Sequence, residues 1–153
     1  MKTNFHFNDG GRSDAGYKGF TGDCVCRSIC ITTGLPYKKV YDDLANEYFN
    51  QRKSKLAKKS KQRTASKGIK VKRKWFKDYM NSLGFIWIPT MKIGSGCKVH
   101  LKSEELPKGK IICNVSKHFV AVIDGVINDT YDCSRNGTRC VYGYYLLTKN
   151  QIQ

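Results

Sequence analysis

The chain predicts an α+β fold in which N-terminal helices pack against a C-terminal antiparallel β-sheet, and three observations carry that prediction. Apolar residues recur at helical spacing through the first half. From Phe85 onward they gather instead into short runs separated by turn residues. Two of those runs are joined by Asp124-Gly125, a dipeptide suited to a two-residue hairpin loop. Helices first and a meander second is the order of a layered α+β domain.

The elements follow in turn. Residues 1–23 are rich in Gly, Asn and Asp and read as extended chain and turns. Asp23 is placed to cap a helix over Cys24–Thr33, which Gly34 ends. Pro36 suits the first turn of a second helix, with Val40, Leu44 and Tyr48 on one face and Tyr37 and Tyr41 flanking it. A third helix spans Arg73 to Leu83, with Phe76, Met80 and Leu83 together and Gly84 beyond. Strands are expected at Phe85–Ile88, Ile111–Val115, Phe119–Ile123, Val126–Asp129 and Val141–Leu147.

At 153 residues the chain is expected to form one domain with a substantial core. Its formal charge of +16 favours an anionic partner without naming one. Between Arg52 and Lys74 stand twelve Lys or Arg residues and no acidic one. The plain reading is a solvated surface segment. The functional one is non-specific contact with nucleic-acid phosphates through Arg52, Lys53, Lys55, Lys58, Lys59, Lys61 and Arg63, extended by Lys70, Lys72, Arg73 and Lys74. Seven cysteines cannot all pair internally, and neither a signal peptide nor a membrane span is apparent. Free thiols in a reducing cytoplasm are therefore expected.

The chemistry-bearing residues are Cys24 at a helix start, His118 opening an apolar strand and Asp129 closing the next one. A thiol attacks only as thiolate, and a helix N-terminus favours that anion. With Asp124-Gly125 as the loop, Ile123 pairs with Val126 and Val120 with Asp129, while His118 falls opposite Tyr131. Asp129 then lies diagonally from His118 on the same sheet face, where a carboxylate fixes the imidazole tautomer. Cys26 and Cys30 read as buried thiols within the helix, and His6 and His100 as surface groups. The duller alternatives are an inert buried Cys24 and a structural His118. A zinc site built from Cys24, Cys26, Cys133, Cys140 or His118 is a further one, although no C-x₂-C knuckle supports it and no metal or cofactor is expected.

Gly22-Asp23-Cys24-Val25-Cys26-Arg27, His118-Phe119-Val120-Ala121-Val122 and Asp129-Thr130 together resemble the papain-like cysteine peptidase superfamily. The nearest likeness is to its small bacterial and phage branches, which include bacteriocin leader-cleaving and transglutaminase-like domains. The resemblance implies a papain-like fold with Cys24 as nucleophile, His118 as base and Asp129 as orienting acid. It also implies a protein or peptide substrate attacked at a peptide, isopeptide or glutamine-type amide. One departure stands out. Such enzymes carry a Gln shortly before the cysteine as an oxyanion donor, whereas Lys18 occupies that region here and no Gln precedes Gln51. Asn4, Asn8 and Thr21 are the available substitutes. The competing class is a nucleic-acid or acidic-protein binding module on an inactive papain-like scaffold.

Overall fold

A computed structural model describes residues 4–17, 23–51, 71–92 and 94–148. Within them the architecture is α+β, with N-terminal helices against a mixed sheet. Helices α1 (Cys24–Thr33), α2 (Tyr37–Gln51) and α3 (Lys74–Ser82) precede most of the strands. The strands are β1 (Phe5–Phe7), β2 (Phe85–Pro89), β3 (Val99–His100), β4 (Lys110–Val115), β5 (His118–Ile123), β6 (Val126–Asp129), β7 (Cys140–Val141) and β8 (Gly143–Leu147). Six of them form one sheet in the order β1-β6-β5-β4-β8-β2, while β3 and β7 form a separate ribbon.

Alternation along the central strands separates two cores. Ile112 and Phe119 face α1 and α3, packing with Val25, Ile29, Val40, Leu44, Phe76 and Met80. The intervening residues Ile111, Cys113, Val120 and Val122 join Leu101, Ile127 and Val141 in a second cluster. Cys26 and Cys30 are buried in the first core, as small apolar thiols. Tyr37, expected at the margin of its helix face, is itself buried there.

The hairpin has the register that its loop chemistry predicts. Ile123 pairs with Val126, Val122 with Ile127 and Ala121 with Asn128. Asp124 and Gly125 both have positive φ, 49° and 82°, as a type I′ turn requires. At the other end of α1, Gly34 takes the left-handed conformation and its N–H bonds Cys30 O.

Four expectations are corrected. The sheet is mixed rather than wholly antiparallel, because β1 runs parallel to β6. All three β1 side chains are exposed, so only backbone bonds such as Ile127 N–H to Asn4 O hold that strand, and no apolar pattern advertises it. The expected Val141–Leu147 strand divides at Tyr142, where the chain leaves its ribbon with β3 and joins β4 and β2. Cys97 and Cys140 are joined by a disulfide, against the expectation that every thiol is free. The bridge spans 43 residues between a loop and a two-residue strand, so spacing did not reveal it. Asp23 marks the start of α1 but makes no side-chain cap bond.

The Asp124-Gly125 turn holds β5 and β6 in register, and a Cβ on Gly125 would lie 3.2 Å from Ser103 Cβ at a φ that L-residues avoid. Gly125→Ala should therefore lower unfolding stability by about 1–2 kcal/mol in a urea titration. An unchanged midpoint would mean that the turn does not set the register.

Candidate functional site

The site lies where the start of α1 meets the ends of β5 and β6. α1 is apolar on nearly every side, so it lies in the core and carries even its charged Arg27 inside, at 5% exposure. Ser28 ties the helix to the sheet, its Oγ lying 2.7 Å from Cys24 O and 3.2 Å from Phe119 O. That contact brings the first turn of α1 alongside the residue after His118.

A buried chain of charges runs through the junction. Asp23 accepts hydrogen bonds from Arg27 Nη1 at Oδ1 and from the Tyr37 hydroxyl at Oδ2, and Arg12 Nε lies 3.3 Å from that same Oδ2. Arg27 reaches across with Nη2, 3.1 Å from Asp129 Oδ1, which also accepts the Thr130 N–H at 2.7 Å. Asp129 Oδ2 lies 2.7 Å from His118 Nε2. Since that nitrogen is engaged, Nδ1 is the one left for a sulfur, and Cys24 and Cys133 both neighbour the ring. The ring of Tyr131 stands 5.6 Å from that of His118, centroid to centroid, as the opposed register positions require.

The electrostatics follow from these partners. Burial raises the Cys24 thiol, but the hydrogen bond and charge of His118, the Phe119 N–H and Arg27 outweigh it and bring the thiol below its ordinary value. Burial disfavours charge on His118, yet Asp129 and the two sulfurs push its pKa up to about 12. Burial likewise opposes ionisation of Asp129, and His118, the Thr130 N–H and Arg27 together hold it below the usual carboxylate range. Cys24 and His118 are thus favoured as a thiolate–imidazolium pair.

The three residues expected to act together are adjacent: Cys24 and His118 line a cleft of about 780 Å³, and Asp129 lies buried behind His118. The proposed oxyanion substitutes fare differently. Asn4 Nδ2 bonds Ser103 Oγ and Asn8 Nδ2 bonds Asn128 Oδ1, so both amides are engaged away from Cys24. Lys18 and Thr21 lie outside the described residues, as do Arg52, Lys53, Lys55, Lys58, Lys59, Lys61, Arg63 and Lys70. Lys72, Arg73 and Lys74 are exposed; Lys72 lines the cleft and Lys74 pairs with Asp78. His6 is exposed, and His100 pairs with Glu105 at the surface.

Sequence reasoning missed Arg27 and Arg139, and it weighed Cys133 only as a zinc ligand. Arg27 left a signal, since an arginine enclosed in an otherwise buried helix needs carboxylates. Cys133 left none. It reaches His118 through the loop after β6, and Arg139 fixes that loop by donating to Cys133 O at 3.2 Å and to Ser116 O in the β4–β5 turn. His118, Asp129 and Cys133 place one donor atom each within 4.8 Å of one another. Such a mixed set could take a soft divalent metal. Against that, both Asp129 oxygens are already engaged and a guanidinium stands 3.1 Å away. The zinc set weighed from the sequence is not assembled, because Cys26 faces Tyr37 O and Cys140 is bonded to Cys97.

No protein-family model matches the chain, and neither a curated protein nor a solved structure matches it. Among the described residues, no helix is long and apolar enough to cross a membrane.

Asp129 binds two buried cations, so Asp129→Asn should destabilise the fold by about 3–5 kcal/mol at pH 7. Its carboxyl is depressed in the folded state, so this stability is present above the unfolded value and is lost as pH falls through the folded one. Urea unfolding of parent and variant should therefore converge toward acid pH. A pH-independent gap would show that the charge of Asp129 is not what holds the site.

Proposed function

We propose that this protein is a cysteine-dependent hydrolase or acyl-transfer enzyme of papain-like type, acting on an amide carbonyl in a protein or peptide. The observation that carries the reading is the Asp129–His118 hydrogen bond of 2.7 Å, with Cys24 beside the same ring at a helix N-terminus and at the wall of a cleft.

The chemistry runs from the ion pair. The Cys24 thiolate attacks the acyl carbon, forming a C–S bond and placing the carbonyl electrons on oxygen. His118 gives its proton to the leaving amine as the C–N bond breaks, leaving a thioester. Neutral His118 then takes a proton from water, or from an acceptor amine, as that nucleophile attacks the thioester. Collapse releases the acyl product and the thiolate, with the proton back on the imidazole. Asp129 orients the ring through Nε2 and offsets its positive charge.

The Asp23 side chain supports the reading in an indirect way. Because it turns inward to Arg27, Tyr37 and Arg12 instead of capping, the opening N–H groups of α1 are not consumed by its carboxylate. Those groups are suited to receive an oxyanion at the carbon attacked by Cys24, which answers the missing glutamine.

Alkylation by iodoacetamide, followed at each cysteine from pH 5 to 9 by peptide mass mapping, tests the pair. Cys24 should react fast at pH values where Cys26 and Cys113 are inert, and His118→Ala should move its profile upward. Cys24→Ser should reduce amide turnover by about 10³-fold or more while the far-ultraviolet circular dichroism stays unchanged. A Cys24 profile that ignores His118 would remove the catalytic reading.

A further inference from the structure

The walls of the cleft carry a consistent charge. Arg27, Lys72 and Lys117 line it, and among the described residues no aspartate or glutamate does. The charge of Arg27 is met by Asp23 and Asp129, and that of His118 by Asp129. Lys72 and Lys117 have no carboxylate partner among the described residues. Elsewhere the contrast is plain, since Lys38, Lys39, Lys74 and Lys102 each hold an acidic neighbour within 3.1 Å.

The two lysines are placed rather than scattered. Lys117 is the second residue of the tight turn that joins β4 to β5, at φ 56°, immediately before His118. Lys72 belongs to the basic stretch between Arg52 and Lys74 and lines the cleft. Tyr131 and Tyr142, 51% and 38% exposed, line the same cleft and offer ring faces to a bound chain. A concave site of one sign concentrates ions of the other sign more effectively than a flat surface does.

We propose that the cleft selects acidic polypeptides, with the Lys72 and Lys117 ammonium groups receiving carboxylates that flank the acyl group attacked by Cys24. This assignment rests on the acyl-transfer reading above. A nucleic acid would satisfy the charges, but it presents no acyl carbon to the nucleophile in the same cleft, so a polypeptide is the favoured occupant.

Paired alkylating agents of similar size separate the two readings. Iodoacetate and iodoacetamide are compared at Cys24 in the full chain, at low and high salt, and each iodoacetate rate is divided by the iodoacetamide rate of the same variant. The ratio should exceed that of a free cysteine peptide. It should fall about threefold or more in the Lys72→Gln, Lys117→Gln double variant and on adding salt. Peptidyl chloromethyl ketones bearing Glu should then inactivate the parent faster than those bearing Gln or Lys, and Lys117→Glu should reverse that order. Equal ratios in parent and double variant, or equal inactivation by the Glu and Lys ketones, would overturn the acidic-substrate assignment while leaving a reactive Cys24 in place. Slow, His118-independent reaction with iodoacetamide would instead bring down the acyl-transfer reading beneath it. Protection of Cys24 by polyglutamate supports the proposal; protection by an oligothymidylate alone would overturn it in favour of nucleic acid.

Discussion

The Arg27 guanidinium bridging Asp23 and Asp129 is the constraint on which the rest of this site depends. It links the first turn of α1 to the end of β6 through partners that are all nearly inaccessible to water. Removing any of the three charges strips a buried neighbour of one of its partners, and that penalty exceeds the net worth of the pair itself. The bridge therefore acts on geometry more than on total stability. It is made in an approach of helix to sheet that sets Cys24 beside His118. One Arg27 atom, Nε, has no partner among the described residues, so even this network is not fully satisfied.

The same bridge shapes the electrostatics at the thiol. A carboxylate at the N-cap of α1 would ordinarily bind the first-turn amides and oppose a neighbouring thiolate. Here the negative charge of Asp23 is turned inward and met by Arg27 and Arg12. The amide ends of the helix and the Arg27 charge then act on Cys24 against the burial that opposes its anion, and both favour that anion. Asp129 works in the opposite direction on the far side of the ring, favouring the imidazolium. Two carboxylates held by one arginine thus stand on either side of the Cys24 and His118 pair.

How much of this could be read from the sequence depended on whether the signal was local. The hairpin was legible because Asp124-Gly125 prescribes the turn, and the turn prescribes the pairing that puts Asp129 diagonal to His118. The three helices were legible from periodicity and from Gly34 and Gly84. What escaped was held by contacts between distant residues. β1 is held through its backbone alone, the Cys97–Cys140 bridge joins residues with no periodic context, and Cys133 reaches His118 by a loop that Arg139 pins. Asp23 was legible as a helix boundary but not as an ion-pair partner, because both uses need the same residue at the same place and only the fold decides between them.

Two sulfurs neighbour His118, and their surroundings separate them. Cys133 is 2% exposed, sits among the apolar side chains of the second core and does not line the cleft. Cys24 is half-buried, lines the cleft and stands at the helix terminus whose field favours its anion. Cys24 is the sulfur at the cleft wall, with Tyr131 and Tyr142, whereas Cys133 lies within the core. The imidazole therefore has one cleft-lining sulfur beside it, and Cys133 is its packed neighbour on the core side.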